Sequence, residues 1–213
     1  MKKTRSICIT TLGALMLAAT AFADHDKYQT ADVIDATNEG RGFVGASWLI
    51  RTEDGFRGSI MANTTSDSDP YTLWVVVFNN PESCATSPCT GNDLGNPNVG
   101  GSVFNGGGAI VPSNGALKRN GKPAGDGAVK IDFDVPAHPL PDGLFLLFGD
   151  PAGLYEGNGL GAEIHLVLDK HPMPMPGQSW VPDLTTTNFP GAGPATNDSF
   201  AIFLACPDDG SCP

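Results

Sequence analysis

Four residues that could bind a metal lie close together in the C-terminal half of the chain. The segment "AEIHLVLDKHPMPMPGQSW" contains His165, His171, Met173 and Met175. One imidazole and two thioethers at two-residue spacing can converge on a soft cation, and thioethers select Cu(I). His171, Met173 and Met175 therefore form a candidate copper site. The alternative is a stiff, proline-rich linker whose methionines pack against the protein.

His165 is predicted to lie apart from that triplet. An extended strand rises about 3.3 Å per residue, so a straight strand would place His165 and His171 about 20 Å apart. The alternation predicts a strand over 163–169 with two different faces. Its core face carries Ile164, Leu166 and Leu168, and its other face carries Glu163, His165, Val167 and Asp169. We expect His165 to be hydrogen-bonded there as a structural residue.

Other chemistries have weaker support. Asp132 and Asp134 are expected about 7 Å apart on one strand face, a spacing not far from that used in glycoside hydrolysis, but no aromatic side chain is evident beside them. The loops 63–70 and 91–98 offer oxygen ligands for calcium, although ordinary turns explain them more simply. No serine-hydrolase elbow, HExxH or Walker motif is present. These observations favour a non-enzymatic protein.

The N-terminus has the pattern of a secretory signal peptide. Lys2, Lys3 and Arg5 precede an apolar run, and Ala21-Phe22-Ala23 is an A-x-A cleavage motif. We predict a signal peptide over 1–23 and a single domain over 24–213, with 24–30 as a loose arm. No second apolar run reaches the ~20 residues of a membrane helix. The predicted location is periplasmic or secreted.

The charge balance narrows the range of partners. The formal net charge is −11, and removal of the three cations of the leader takes it to −14. A surface of this sign repels nucleic acid and anionic lipid, so neither is an expected partner. Because the acidic residues are dispersed, we attribute them mainly to solubility.

Four cysteines follow the leader, in two local pairs. Cys84 and Cys89 are in the pattern C-x4-C, and Cys206 and Cys212 are in C-x5-C. An exported protein is the setting in which disulfides persist. Three connectivities are possible, and local pairing is favoured because each pair flanks a turn-rich stretch.

The remaining pattern predicts an all-β fold. Glycine and proline make up about a fifth of the chain and separate many short strands. A strand over 71–80 is apolar on both faces and is expected to be covered on both sides. Asp54-Gly55 predicts a hairpin turn. We predict a disulfide-linked β-sandwich or partly closed barrel, with a Gly/Asn-rich region over 90–127 and strands over 41–51, 56–63, 71–80, 102–104, 109–111, 127–135, 143–149, 162–168 and 199–205.

Several landmarks resemble a known group of proteins. The motifs "TLWVVVFNNPESC", "GSVFNGGGAIV" and "GAEIHLVLDKH", followed by the closing C-x5-C, resemble a family of uncharacterised exported bacterial β-rich proteins over residues 70–206. Asp169 and Pro172 depart from that family's pattern around the second histidine. The Ala-Glu-Ile-His segment is also similar to the His-x-His strand of CHRD-type extracellular β-domains. These resemblances imply an exported β-protein and no particular reaction.

Taken together, the sequence predicts an exported, non-enzymatic protein with a binding or surface-structural role. Soft-metal binding is the sharpest hypothesis, with copper favoured over calcium. A matrix or adhesion role and a secreted hydrolase are the alternatives.

Overall fold

A computed structural model shows an all-β protein built on one curled antiparallel sheet. The structure describes residues 26–37, 42–63, 69–111, 118–119, 122–123, 128–137, 140, 145–171, 195–206 and 212–213. The predicted signal peptide lies outside them, as do Met173 and Met175. The strands are β1 (Lys27–Asp35), β2 (Phe43–Thr52), β3 (Gly55–Asn63), β4 (Pro70–Phe78), β5 (Gly101–Ile110), β6 (Lys118–Arg119), β7 (Lys122–Pro123), β8 (Ala128–Pro136), β9 (Leu146–Gly149), β10 (Glu163–Lys170) and β11 (Thr196–Phe203).

Nine strands form the main sheet in the order β8-β3-β2-β1-β11-β10-β4-β5-β9, and β6 pairs with β7 separately. The sheet curls so that β5 and β8, near opposite ends of this order, contact each other. The result is a half-barrel, which corresponds to the partly closed barrel of the two architectures predicted. Its interior is filled by apolar side chains from the long strands, among them Leu49, Ile60, Leu73, Ile131 and Leu166.

Strand β4 is buried at all nine positions, as its two-sided apolar pattern predicts. Its inner face joins the barrel core. Trp74, Val76 and Phe78 on its outer face form a second core with residues of the 81–100 segment, including Cys89 and Val99. The Cys84–Cys89 disulfide closes that segment, and Cys206–Cys212 forms the other bond. The favoured local pairing of the cysteines is confirmed.

The β2–β3 hairpin is also confirmed. Thr52 pairs with Gly55 in the register, so Glu53 and Asp54 make a two-residue turn. Gly55 has a φ of +151°, and a Cβ atom there would lie 2.5 Å from the carbonyl oxygen of Val135. Glycine is required at this position because both the backbone conformation and the close approach exclude a side chain.

Two predictions are wrong. Residues 27–30, expected in a loose arm, belong to β1, which pairs with β2 and β11. Its alternation is hard to detect because the inward-facing Gln29 is polar. Gln29 is buried, and its amide donates to the carbonyl of Leu204 at 3.1 Å. The two short strands expected at 102–104 and 109–111 are a single ten-residue strand, β5. Its glycines include Gly106, where a Cβ atom would lie 2.6 Å from a methyl group of Val75.

Candidate functional site

The buried Glu163 and the partly buried His165 form a cluster on the outer face of β10. The Nε2 atom of His165 lies 2.6 Å from Oε1 of Glu163, and the backbone N–H of Cys89 donates to the same oxygen at 2.7 Å. The ring of Phe78 meets His165 edge-on, with 5.0 Å between centroids. Glu163 therefore holds the disulfide loop against the sheet. His165 is hydrogen-bonded on the predicted face, but its acidic partner comes from its own strand.

Arg51 carries a buried positive charge that sequence reasoning missed. Its side chain is fully buried, and its two terminal nitrogens donate to four backbone carbonyls, those of Gly159, Ala162, Phe203 and Leu204. Burial lowers the pKa of Arg51 to about 10, while the carboxylate of Glu163 opposes that change. The available signal was the position of Arg51, which follows Ser47 and Leu49 on the core face of β2.

Arg51, Glu163 and His165 have structural roles, because their hydrogen bonds hold strands and loops together. Two of the four carbonyls bound by Arg51 belong to the loop before β10, and the other two belong to Phe203, the last residue of β11, and to Leu204, which follows it. Glu163 is occupied by His165 and by the loop. Within the described ranges, no cluster of three His, Cys, Asp or Glu side chains is arranged to hold a metal ion.

His171 lies at the end of β10, in the protein interior. Its ring is fully buried, Nε2 hydrogen-bonds the hydroxyl of Thr72 at 3.0 Å, and its backbone N–H donates to the carbonyl of Pro70. Ligation of a metal through Nε2 would have to replace the bond to Thr72. Because Met173 and Met175 lie outside the described residues, the copper triplet stays a prediction.

The candidate calcium loop over 91–98 is organised by hydrogen bonds to its own carboxylate. Asp93 accepts the backbone N–H of Ala85 and both the N–H and the hydroxyl of Thr90. These bonds, led by that of Ala85, lower the pKa of Asp93. Its two carboxylate oxygens thus accept the hydrogen bonds that stabilise the surrounding turns. The other candidate loop, 63–70, is described only at its ends.

Asp132 and Asp134 project from the outer face of β8, as predicted. The ammonium group of Lys130 lies 2.6 Å from Asp132 and lowers the pKa of that carboxyl. A glycosidase needs one carboxyl group whose pKa is raised so that it can donate a proton. Asp132 is shifted the opposite way, so it does not suit that role. The structure does add one feature absent from the sequence reasoning, since Trp48 of β2 lines the same groove.

The outer surface of β1, β2, β3 and β8 differs from that of β4, β5 and β10. The segment 81–100 covers the latter, whereas nothing in the described part of the chain packs over the former, which we call the open face. Tyr28 and Phe43 are 63% and 57% exposed. The apolar side chains of the open face are Tyr28, Ile34, Phe43, Trp48, Ile50 and Met61.

The strand register places these side chains beside charged residues. One row across the strands is Tyr28, Ile50, Arg57 and Asp134, and the next is Thr30, Trp48, Ser59 and Asp132. A groove of about 410 Å³ lies among Trp48, Arg57, Asp132 and Asp134. A second groove, of about 150 Å³, lies on the other side of Arg57. An exposed apolar patch with polar groups around it is typical of an interaction site.

The fold and the disulfides define a class: an all-β protein with a curled nine-stranded sheet and two local disulfide bonds, which suit an environment outside the cytoplasm. Comparisons with protein-family models, curated proteins and solved structures found no match to this chain. Among the described residues, no helix has the length and apolar character needed to cross a membrane.

Proposed function

We propose that this chain is an exported, non-enzymatic binding protein that attaches to a partner outside the cytoplasm through its open face. The observation that carries the proposal is the open face itself. Aromatic and aliphatic side chains on three strands face outward there, although the same sheet covers its other half with a disulfide-closed loop. Tyrosine and tryptophan are the residues most often found as energetic centres of binding surfaces.

The compartment and the charge support the same proposal. The leader and the two disulfides favour a periplasmic or secreted protein. The acidic surface disfavours nucleic acid and anionic membranes. Three acid–base groups of the described residues, His165, Asp93 and Asp132, are engaged in packing, a turn and an ion pair respectively. A binding or adhesion role therefore agrees better with the chemistry than a hydrolase does.

The test is retention on the surface or shed matrix of the producing cells. Purified protein is mixed with washed cells or with the matrix, sedimented, and quantified in the pellet. The variant Tyr28→Ala/Trp48→Ala should lose at least about thirtyfold in apparent affinity, since a single aromatic energetic centre already contributes about 2 kcal/mol. The control is Leu147→Ala/Phe148→Ala, because both residues are about half exposed but lie on β9, away from the open face.

Two results would contradict the proposal. One is an absence of retention for the wild-type protein on cells and matrix alike. The other is equal retention of the Tyr28/Trp48 variant and the wild type. Because both substituted side chains are exposed or half-buried, the variant should keep the wild-type urea midpoint, which is measured in parallel.

A further inference from the structure

We infer that the open face binds an uncharged polysaccharide, with sugar rings resting on Tyr28 and Trp48 and hydroxyl groups hydrogen-bonded by Arg57 and Asp134. This inference rests on the proposed function, because it names the ligand of the same face. Three features support it: the arrangement of the two aromatic rings, the mixture of donors and acceptors beside them, and the charge of the surface.

The rings of Tyr28 and Trp48 form an offset stacked pair on the open face, and we call this pair the platform. The ring centroids of Tyr28 and Trp48 are 6.4 Å apart, and the ring planes differ by 24°. Direct face-to-face contact needs only about 3.5–4 Å, so the rings are offset and neither fully covers the other. The face of an aromatic ring carries negative potential. The C–H groups on the apolar side of a sugar ring carry the opposite partial charge and can lie flat on such a platform.

The polar groups beside the platform match hydroxyl groups. A hydroxyl both donates and accepts, so it is best recognised where donors and acceptors alternate. Arg57 offers only donors and its register partner Asp134 offers only acceptors, and both line the 410 Å³ groove with Trp48. Four neighbouring strands at about 4.8 Å spacing make a strip about 14 Å long, which can accommodate more than one sugar ring.

The charge of the open face argues against other polymers. Two ion pairs, Arg57–Asp26 and Lys130–Asp132, neutralise four of its charges. Asp32 and Asp134 have no ion-pair partner among the described residues, so the face retains negative charge. Sulfated, uronic-acid or phosphate polymers would be repelled.

A cationic peptide is the main competitor, but the surface does not suit it well. The two carboxylates without an ion-pair partner in the described part of the chain, Asp32 and Asp134, lie on β1 and β8, with β2 and β3 between them. Asp134 is also the register partner of Arg57 on β3. The carboxylates are therefore not gathered into a cage around the aromatic rings.

The experiment is a sedimentation assay of the full secreted protein with insoluble polysaccharides. The neutral probes are amorphous cellulose, chitin and starch, and the charged probes are alginate gel and polylysine-coated beads. We expect saturable binding to at least one neutral probe and little to alginate. That binding should change little between low and high salt, because no net charge is neutralised, whereas binding to polylysine would weaken.

Variants assign the binding to the platform and its polar neighbours. Trp48→Ala should weaken binding to the neutral probe at least about tenfold, and Arg57→Ala and Asp134→Ala should each weaken it about threefold to tenfold. The control, Leu147→Ala/Phe148→Ala, should bind as the wild type does. Folding of every variant is checked by its urea midpoint.

The outcomes separate this inference from the proposed function. If cell or matrix retention depends on Trp48 but no neutral polysaccharide binds, or only polylysine binds, the carbohydrate ligand is wrong and the open face remains a binding surface. If neutral polysaccharide binds equally to the Trp48→Ala variant, the assigned site is wrong. If neither retention nor polysaccharide binding occurs, both proposals fail.

Discussion

Replacement of Arg51 by methionine is the most direct test of what holds the half-barrel together. Methionine is unbranched and fills much of the same space, but it removes the four hydrogen bonds to backbone carbonyls. It also removes the positive charge that acts on the buried carboxylate of Glu163. The carbonyls of Ala162 and Phe203 would then be left without this partner, and Glu163 would keep only its bonds to His165 and to the N–H of Cys89.

The magnitude follows from two opposing contributions. Hydrogen bonds to a charged group contribute about 1.5–3 kcal/mol each, so four contribute about 6–12 kcal/mol. Burial lowers the pKa of Arg51 from 12.5 to about 10, which corresponds to a cost of about 3 kcal/mol for keeping the guanidinium charged. The difference is about 3–9 kcal/mol, and we take its lower end because single substitutions seldom cost more than about 5 kcal/mol. We expect a loss of about 4 kcal/mol.

The assay is urea unfolding followed by circular dichroism, with both disulfides intact. The matched control is Arg57→Met on the adjacent strand, whose side chain is 58% exposed and makes one long ion pair at 3.6 Å. The control should change the free energy of unfolding by less than about 0.5 kcal/mol. If the free energies of unfolding of Arg51→Met and Arg57→Met differ by less than about 1 kcal/mol, the assignment of Arg51 as a main stabilising residue is refuted. If the methionine variant does not fold, Arg51→Lys replaces it in the test. Lysine keeps the charge but lacks the planar guanidinium, so the free energy of unfolding should fall by less than in Arg51→Met.

Three further predictions concern other parts of the chain. Burial raises the pKa of Asp169 to about 6, above the unfolded value of about 3.9, so the folded protein binds the extra proton and this group's contribution to stability falls as pH rises through 6. Asp169→Asn should therefore unfold at higher urea than the wild type near pH 7.5, and this advantage should vanish near pH 4. The double variant Met173→Leu/Met175→Leu should lose copper that the natively purified wild-type protein holds at about one ion per chain, measured by elemental analysis. Gly159→Ala should destabilise by about 3 kcal/mol, since its Cβ would meet the backbone oxygen of Thr52 at 2.0 Å, whereas Gly91→Ala has open space.

Each of these predictions has a contradicting result. Parallel pH profiles for the wild type and Asp169→Asn would exclude that carboxyl as a source of pH-dependent stability. Unchanged copper content in the double methionine variant would exclude the triplet, and Met61→Leu, at an exposed methionine of β3, is the matched control. Equal urea midpoints for Gly159→Ala and Gly91→Ala would show that the loop before β10 adjusts freely.

Local patterns were sufficient for most strands. Strict alternation identified β8, and the two-sided apolar run identified β4 as a covered strand, because both patterns report the surroundings of each side chain directly. Alternation also separated the faces of β10. It failed at β1, where the inward Gln29 is satisfied by a carbonyl of a distant segment, and at β5, where glycines allow close approach of a neighbouring strand.

The candidate sites depended more on strand order. The sequence identified His165, Asp132 and Asp134 as polar groups on strand faces, but not their partners. Trp48 and Asp132 are 84 positions apart in the chain and line one groove because β3 lies between β2 and β8. Arg51 of β2 reaches the carbonyl of Phe203 on β11 because only β1 lies between these two strands.

The sequence by itself determined the all-β class, the alternating faces of β8 and β10 and the acidic charge, because each depends on neighbouring residues or on composition. It favoured local disulfide pairing, which the structure confirmed. Only the tertiary structure decided which outer face is covered, which carbonyls accept hydrogen bonds from Arg51 and which aromatic ring lies beside Asp132. The physical reason is that antiparallel pairing joins residues far apart in the chain. The alternation of one strand records that it has an inside and an outside, but not which strand lies next to it.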